Sequence, residues 1–380
     1  MWMRDCGKTT MTELTKLTET YSPPPESQGG WRWLRTPEDV REIGGMDPRR
    51  LTLAAEFNAL QASTTSSVVV IRRGWLVGEW YEVSALATTR YDIWSATKSL
   101  TSTAYGLLFD ERRDVGFETP AYEHIPEGHP LSDARKARLT FRHLLTMTSG
   151  IPGESIGIGA VPTSTGVGPF EAALGFAPCW ARRWGEERWA NRLAADPGTR
   201  WDYSDPAFAH LGIAFTHLAG QQMRDFLQER VFGPIGIESL SWDLQGVGTR
   251  FGPHTNAHTG VHVSARELAR IGYLMLHRGA WSGRQILPPA WVQEATRSSQ
   301  DLNRNYGLAW WVNTPGTLWP TLPRDTFAAM GLHRNECYVI PSLELVVVRT
   351  GYGPVSWAPE GFIGHVVGAV LDRDQRTVTD

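Results

Sequence analysis

The stretch Tyr91-Asp92-Ile93-Trp94-Ser95-Ala96-Thr97-Lys98-Ser99-Leu100 carries more chemistry than any other in the chain. Its pattern predicts a helix over Ala96 to Glu111, mostly apolar in its middle, with Ser95 at the entry. Lys98 then lies one turn on and shares a face with Ser95. A serine hydroxyl is a weak nucleophile until a base removes its proton. A lysine can be that base as a free amine, which burial favours by penalising the ammonium. The helix entry adds unpaired N–H groups and positive potential, so the backbone N–H of Ser95 could hold a developing oxyanion. A plain helix cap is the simpler reading of Ser95. Two facts favour chemistry: the chain contains no other S-x-x-K, and lysine is confined to Lys8, Lys16, Lys98 and Lys136.

Around this motif lie 380 residues, 41% hydrophobic and 20% charged, with a formal net charge of -3. That composition supports a large buried core and excludes a disordered polyelectrolyte. No basic blocks suggest a nucleic-acid partner, and no apolar run nears the roughly 18 residues of a membrane span. The start lacks an apolar export segment, and Met11 could be the true start, so a cytoplasmic protein is expected. Cys6, Cys179 and Cys337 are too scattered for a disulfide framework or a cysteine zinc site. Tryptophan is abundant, 17 in all, enough to line a cleft for a bulky organic group.

Read along its length, the chain predicts an extension over residues 1–48. A helix spanning Leu51 to Leu60 follows, then a hairpin from Val68 to Tyr81 turning at Arg73-Gly74. Residues 116–232 read as a helical subdomain inserted into an α/β body made of 49–115 and 233–380. It contains a short helix from Phe141 to Met147, a long loop over 152–178, a Trp-rich helix from Trp180 to Leu193, and helices over Pro206 to Ala219 and Met223 to Phe232. Ser264 opens a capped helix to His277. Strands are expected at Tyr306 to Val312, Phe327 to Leu332, Cys337 to Ile340 and Leu345 to Arg349, with a closing helix from Pro359 to Leu371.

Two further elements could complete a site. Tyr203, in Trp201-Asp202-Tyr203-Ser204-Asp205-Pro206, stands at a helix entry and could relay a proton beside the lysine. It could also be an ordinary half-buried tyrosine, and Ser132-Asp133-Ala134 competes for the slot from a charged loop. A strand edge should supply a second oxyanion N–H, from either Ala329-Met330-Gly331-Leu332 or Arg349-Thr350-Gly351; the former opens the terminal hairpin and fits better.

The ordered set Ser95-x-x-Lys98, Leu144-Leu145-Thr146-Met147-Thr148-Ser149-Gly150-Ile151, Tyr203-Ser204-Asp205 and Gly331-Leu332-His333 ahead of Tyr338-Val339-Ile340-Pro341 resembles the class C β-lactamase superfamily. Within it the chain is more similar to 6-aminohexanoate-dimer hydrolases and family VIII carboxylesterases than to true β-lactamases. The resemblance covers about residues 50–370. It implies an α+β fold, a β-lactamase/transpeptidase-like antiparallel sheet flanked by helices with an inserted helical subdomain. It also implies Ser95 as nucleophile, Lys98 and Tyr203 as the base pair, and the N–H groups of Ser95 and Leu332 as the oxyanion hole. Two departures stand out. Asp205 replaces the usual asparagine, putting a charge beside Lys98 that would favour its ammonium unless Asp205 turns away or pairs with an arginine. Ala329-Met330-Gly331 lacks the cationic residue that recognises a β-lactam carboxylate, which argues against an antibiotic-degrading role.

His254, His258 and His262 recur every four residues, but glycine and proline between them break a helix, so no metal is expected there. His258 and His333 are expected to face the cleft, with Trp94, Asp205 and Gly331 as further substrate contacts. Trp180, Trp184 and Trp189 with Arg182 and Arg183 could wall a pocket or pack on the body; Asp301 to Asn305 has no clear purpose. The expectation is a serine hydrolase with no metal or organic cofactor, taking a small ester or amide, its oligomeric state open. A transacylase using the same acyl-enzyme and a non-catalytic acyl sensor are the rivals.

Overall fold

The structure, a computed structural model, describes residues 21–61, 66–82, 85–153, 179–181, 186–188, 192–247, 252–352 and 359–372. The run Ser66-Ser67-Val68-Val69-Val70-Ile71-Arg72 is buried from end to end, which a strand achieves only with cover on both faces. This is β1 (Ser66–Arg72), followed by β2 (Trp75–Tyr81), β3 (Trp311–Val312), β4 (Phe327–Gly331), β5 (Asn335–Ile340) and β6 (Leu345–Gly351). They form one sheet in the order β3-β4-β5-β6-β1-β2, every pair antiparallel. Arg73 and Gly74 both adopt positive φ at the β1–β2 turn, the geometry a two-residue hairpin needs.

Five helices carry most of the cover: α1 (Pro48–Gln61), α2 (Thr97–Glu111), α3 (Asp205–Ala219), α4 (Ala265–Leu276) and α5 (Pro359–Gly368). Side chains alternate across each strand, so one valine run serves two cores. Val69, Ile71, Val339 and Val346 share a core with Leu268 and Ile271 of α4, which extends into α2 and α3. Val68, Val70, Tyr338 and Val347 share the other with Leu51 of α1 and Phe362, Ile363 and Val366 of α5. Each fully buried valine contributes roughly 1.5–3 kcal/mol. Gly272 lets α4 lie close to the sheet: a Cβ there would come 2.6 Å from Cys337 Sγ. The architecture is α+β, an antiparallel sheet flanked by helices.

Three local expectations are corrected. Instead of a Trp180–Leu193 helix, Cys179–Ala181 and Glu186–Arg188 pair as antiparallel strands, in keeping with the bulky tryptophans and Gly185 of that stretch, which disfavour a helix. Trp184, Trp189, Arg182 and Arg183 lie outside the described residues, as does almost all of the 152–178 loop. Tyr306 to Val312 is extended only at Trp311–Val312; Ala309 has φ 61, and a Tyr306–Trp311 bridge closes a tight loop. The α-helix begins at Thr97, preceded by a 3-10 turn over Trp94–Ala96. No helix among the described residues is long and apolar enough to cross a membrane.

Candidate active site

Asp92 builds the turn that presents Ser95. Its Oδ1 accepts from the N–H of Trp94 (2.8 Å) and of Gly260 (3.2 Å), and Trp94 takes up a positive φ of 50°. The Ile93 N–H donates to Val261 O (2.9 Å). Polar residues of α2 tie down the same loop: the Val261 N–H donates to Thr97 Oγ1 (3.3 Å), and the Thr101 hydroxyl donates to Ala257 O (2.7 Å). Both threonines are fully buried, where an unmatched hydroxyl would cost stability. A helix with a mostly apolar middle is therefore only part of the description. The polar residues interleaved in α2 lock the segment from Ala257 to Val261 against the nucleophile.

Lys98 is 1% exposed. Its Nζ donates to Ser95 Oγ (2.8 Å) and His258 O (3.0 Å) and lies 2.6 Å from Asp205 Oδ1. The Tyr203 ring centroid is 4.9 Å from the same nitrogen. The structure thus brings together Ser95, Lys98, Tyr203, Asp205 and His258, the last of which the sequence placed only as facing the cleft. Sequence reasoning also expected an uncharged amine, on burial alone. The carboxylate changes that balance: with Asp205 Oδ1 at 2.6 Å, the buried nitrogen sits in an ion pair, not in the purely desolvating surroundings that burial alone would give. Asp205 neither turns away nor pairs with an arginine. Burial pushes its carboxyl up, but Lys98 and His258 outweigh that and hold it below its ordinary value. His258 is pushed down to about 4, by burial first, then by Lys98 against the opposing pull of Asp205. Its ring is neutral at pH 7, and its Nδ1 has no hydrogen-bond partner among the described residues.

The Leu144–Ile151 segment sets Tyr203. Asp202 N–H donates to Met147 O (2.9 Å), Gly198 N–H to Thr148 O (2.8 Å) and Ala194 N–H to Gly150 O (2.8 Å). Ser204 caps α3 by accepting from the Ala207 N–H (3.1 Å) and donates to Pro152 O (3.1 Å). Trp311 stacks on Tyr203 at 6.2 Å and 16°, a contact that sequence reasoning missed because β3 is only two residues long.

On the opposite side, Gly331 closes β4 against the nucleophile turn. A Cβ there would sit 2.0 Å from Ile93 O and 3.1 Å from Ala96 N. Leu332, 45% exposed, begins a turn in which His333 and Arg334 both take positive φ. Two buried side chains hold this turn. Asn335 donates to Leu332 O (2.7 Å) and accepts from the Gly351 N–H (2.8 Å). Arg349 donates to His333 O (2.5 Å), Arg334 O (3.4 Å) and Tyr352 O (2.7 Å). Burial pushes the Arg349 guanidinium down to about 10, partly offset by Glu336, and it stays charged at neutral pH. Arg349-Thr350-Gly351, the competing strand, is thus a brace behind the site. The His333 ring meets Trp94 edge-on at 5.7 Å and Tyr352 at 5.4 Å.

The three regularly spaced histidines separate. His258 belongs to the lysine site, His262 pairs with Asp243 (3.4 Å) and His254 approaches Glu127 (3.7 Å). Ser132 accepts from Lys136 (2.8 Å), a different lysine, so it does not compete for the Tyr203 position.

An antiparallel sheet with a Ser-x-x-Lys turn packed on the end of an inner strand defines the class of serine hydrolases built like β-lactamases and transpeptidases. A family model described as Beta-lactamase matches residues 52–350, and the chain belongs to that family. It is 23% identical to a 6-aminohexanoate-dimer hydrolase of Paenarthrobacter ureafaciens over 318 residues, covering 78% of this chain and 74% of that one. A Bacillus anthracis protein provisionally named a 6-aminohexanoate-dimer hydrolase shares the fold with a TM-score of 0.66 at 18% identity, over 95% of this chain and 94% of that one. EstCE1, a hydrolase with promiscuous acyltransferase activity, does so at 0.63 and 15% identity, over 85% and 98%.

Proposed function

We propose that this chain hydrolyses a carboxylic ester or small amide through an acyl-enzyme on Ser95. The observation that carries the reading is the 2.8 Å contact between Lys98 Nζ and Ser95 Oγ, with the Tyr203 ring against the same nitrogen. Ser95 Oγ attacks the substrate carbonyl, and its proton passes into the Lys98–Tyr203 pair. With Asp205 paired to Lys98, Tyr203 would take up this proton as a phenolate, becoming a neutral phenol, while the Lys98 charge offsets the phenolate beforehand. The N–H groups of Ser95 and Leu332 hold the oxyanion. Collapse expels the leaving group, which takes back the proton, and water releases the acid by the reverse path.

Fluorophosphonate labelling tests this. Wild-type protein should lose p-nitrophenyl butyrate hydrolysis as Ser95 becomes labelled, and Ser95→Ala should show neither labelling nor turnover. Turnover surviving in Ser95→Ala sinks the assignment, and labelling after a single burst without steady turnover supports an acyl sensor instead. Acyl transfer is the second reading, favoured by the described activity of EstCE1; ester products formed with added alcohol would establish it.

A further inference from the structure

We propose that Glu127, His217 and His254 form a binding site for a divalent transition-metal ion of the zinc type, separate from the Ser95 site. The three come from three elements: Glu127 from the 3-10 turn Pro126–Gly128, His217 from the last turn of α3, and His254 from the short strand His254–Thr255. One ligand-type atom from each lies within 4.8 Å of the others. His217 Nε2 is 2.9 Å and 3.2 Å from the two Glu127 oxygens, and His254 Nε2 is 3.7 Å from Oε1. Two imidazoles and a carboxylate are a common zinc donor set, with metal–ligand distances of about 2.0–2.2 Å. A tetrahedral ion at that distance holds its ligands roughly 3.3 Å apart. The separations from Glu127 bracket that value, and the two histidine nitrogens lie within 4.8 Å of each other.

The surroundings suit a cation. The His254 side chain is 8% exposed and Glu127 17%, which preorganises two ligands. His217 is 39% exposed, leaving water to fill a fourth position. The His254 ring is not tied down from behind, since its buried Nδ1 has no hydrogen-bond partner among the described residues. Without a metal, the cluster is a carboxylate shared between two imidazoles. An ion would satisfy all three at once.

Its position gives the site a structural role. His217 ends the helix that begins at Asp205, and His254 lies four residues before His258, whose carbonyl accepts from Lys98. An ion would therefore fasten the far end of α3 to the segment that feeds the lysine.

The test uses untagged full-length protein, freed of metal by chelation and titrated with zinc sulfate by calorimetry. One equivalent should bind at micromolar concentration or below and raise the melting temperature. Cobalt(II) should bind in its place with the strong visible bands of a tetrahedral N/O site. His217→Ala and Glu127→Gln should each weaken zinc binding at least ~10-fold and abolish the thermal shift, while Ser95→Ala should retain both. Absence of stoichiometric uptake, or equal uptake by His217→Ala and Glu127→Gln, overturns the proposal. Because Ser95→Ala keeps the zinc readout, the outcome is independent of whether the hydrolase reading stands.

Discussion

Gly331→Ala tests whether the end of β4 sets the oxyanion site. The added Cβ would lie 2.0 Å from Ile93 O, where ordinary contact begins near 3.4 Å, a shortfall of about 1.4 Å. The atoms it meets, Ile93 O, Ile93 C and Ala96 N, are all backbone, so no rotamer can make room. Either β4 retreats or the Ile93–Ala96 turn does, and in both cases the proposed Leu332 donor shifts relative to Ser95. A misplacement of about 1 Å costs ~100-fold, and loss of one oxyanion donor ~100- to 1,000-fold in kcat. We therefore expect kcat for p-nitrophenyl butyrate to fall by at least ~100-fold with KM changed far less. Circular dichroism and a melting curve should show the fold retained, because β4 remains paired to β5 along its length. Fluorophosphonate labelling of Ser95 should slow in parallel. A folded Gly331→Ala protein with kcat within a few-fold of wild type would refute the assignment of Leu332 as oxyanion donor.

Asp205→Ala should destabilise the protein by about 2–3 kcal/mol, below the full penalty for a buried pair because Asp205 is 26% exposed; an unchanged urea midpoint would show that Lys98 does not depend on it. Asp205→Asn, which keeps an oxygen acceptor for the ammonium, should retain fold and turnover, and its loss of activity would make the carboxylate itself essential. Acid should unfold the chain early: His210 is fully buried and held down to about 3, by burial and then by Lys136, and His258 is held near 4. The unfolded chain binds these protons first, so stability is full above the ordinary histidine value of 6.5 and falls as pH drops toward 3. The slope is at most about 1.4 kcal/mol per pH unit for each histidine, and urea midpoints that stay flat from pH 7 to 4 would contradict it. Nitrocefin should be a poor substrate, since Ala329-Met330 offers no cation to a β-lactam carboxylate; rapid turnover would overturn that reading.

The sheet was readable because its strands are long apolar runs: Val68 to Ile71 and Leu345 to Val348 have no other plausible home. The Ser95–Lys98 contact was readable too, since three residues of chain fix it locally. What local pattern could not give was pairing between distant segments. Asp205 was visible as a departure, yet whether its charge met Lys98 or solvent depended on how α3 is seated through Ser204 and Pro152. The tight loop at Ala309 was read as strand because aromatic and β-branched residues surround a backbone that has to turn. Glu127 gave no signal at all: it lies 90 residues from His217 and 127 from His254, and only folding brings them together.

The turn from Leu332 to Arg334 is gripped through its carbonyl oxygens, by the side chains of Asn335 and Arg349. His333 and Arg334 add to that grip through Trp94, Tyr352 and Glu336, whereas Leu332 is exposed. Sequence can therefore drift at Leu332, but less at His333 with its φ of 60°, while the amide that would face the reacting carbonyl keeps its place. A scaffold of this kind lets the exposed Leu332 side chain be exchanged without rebuilding the carbonyl grip behind it.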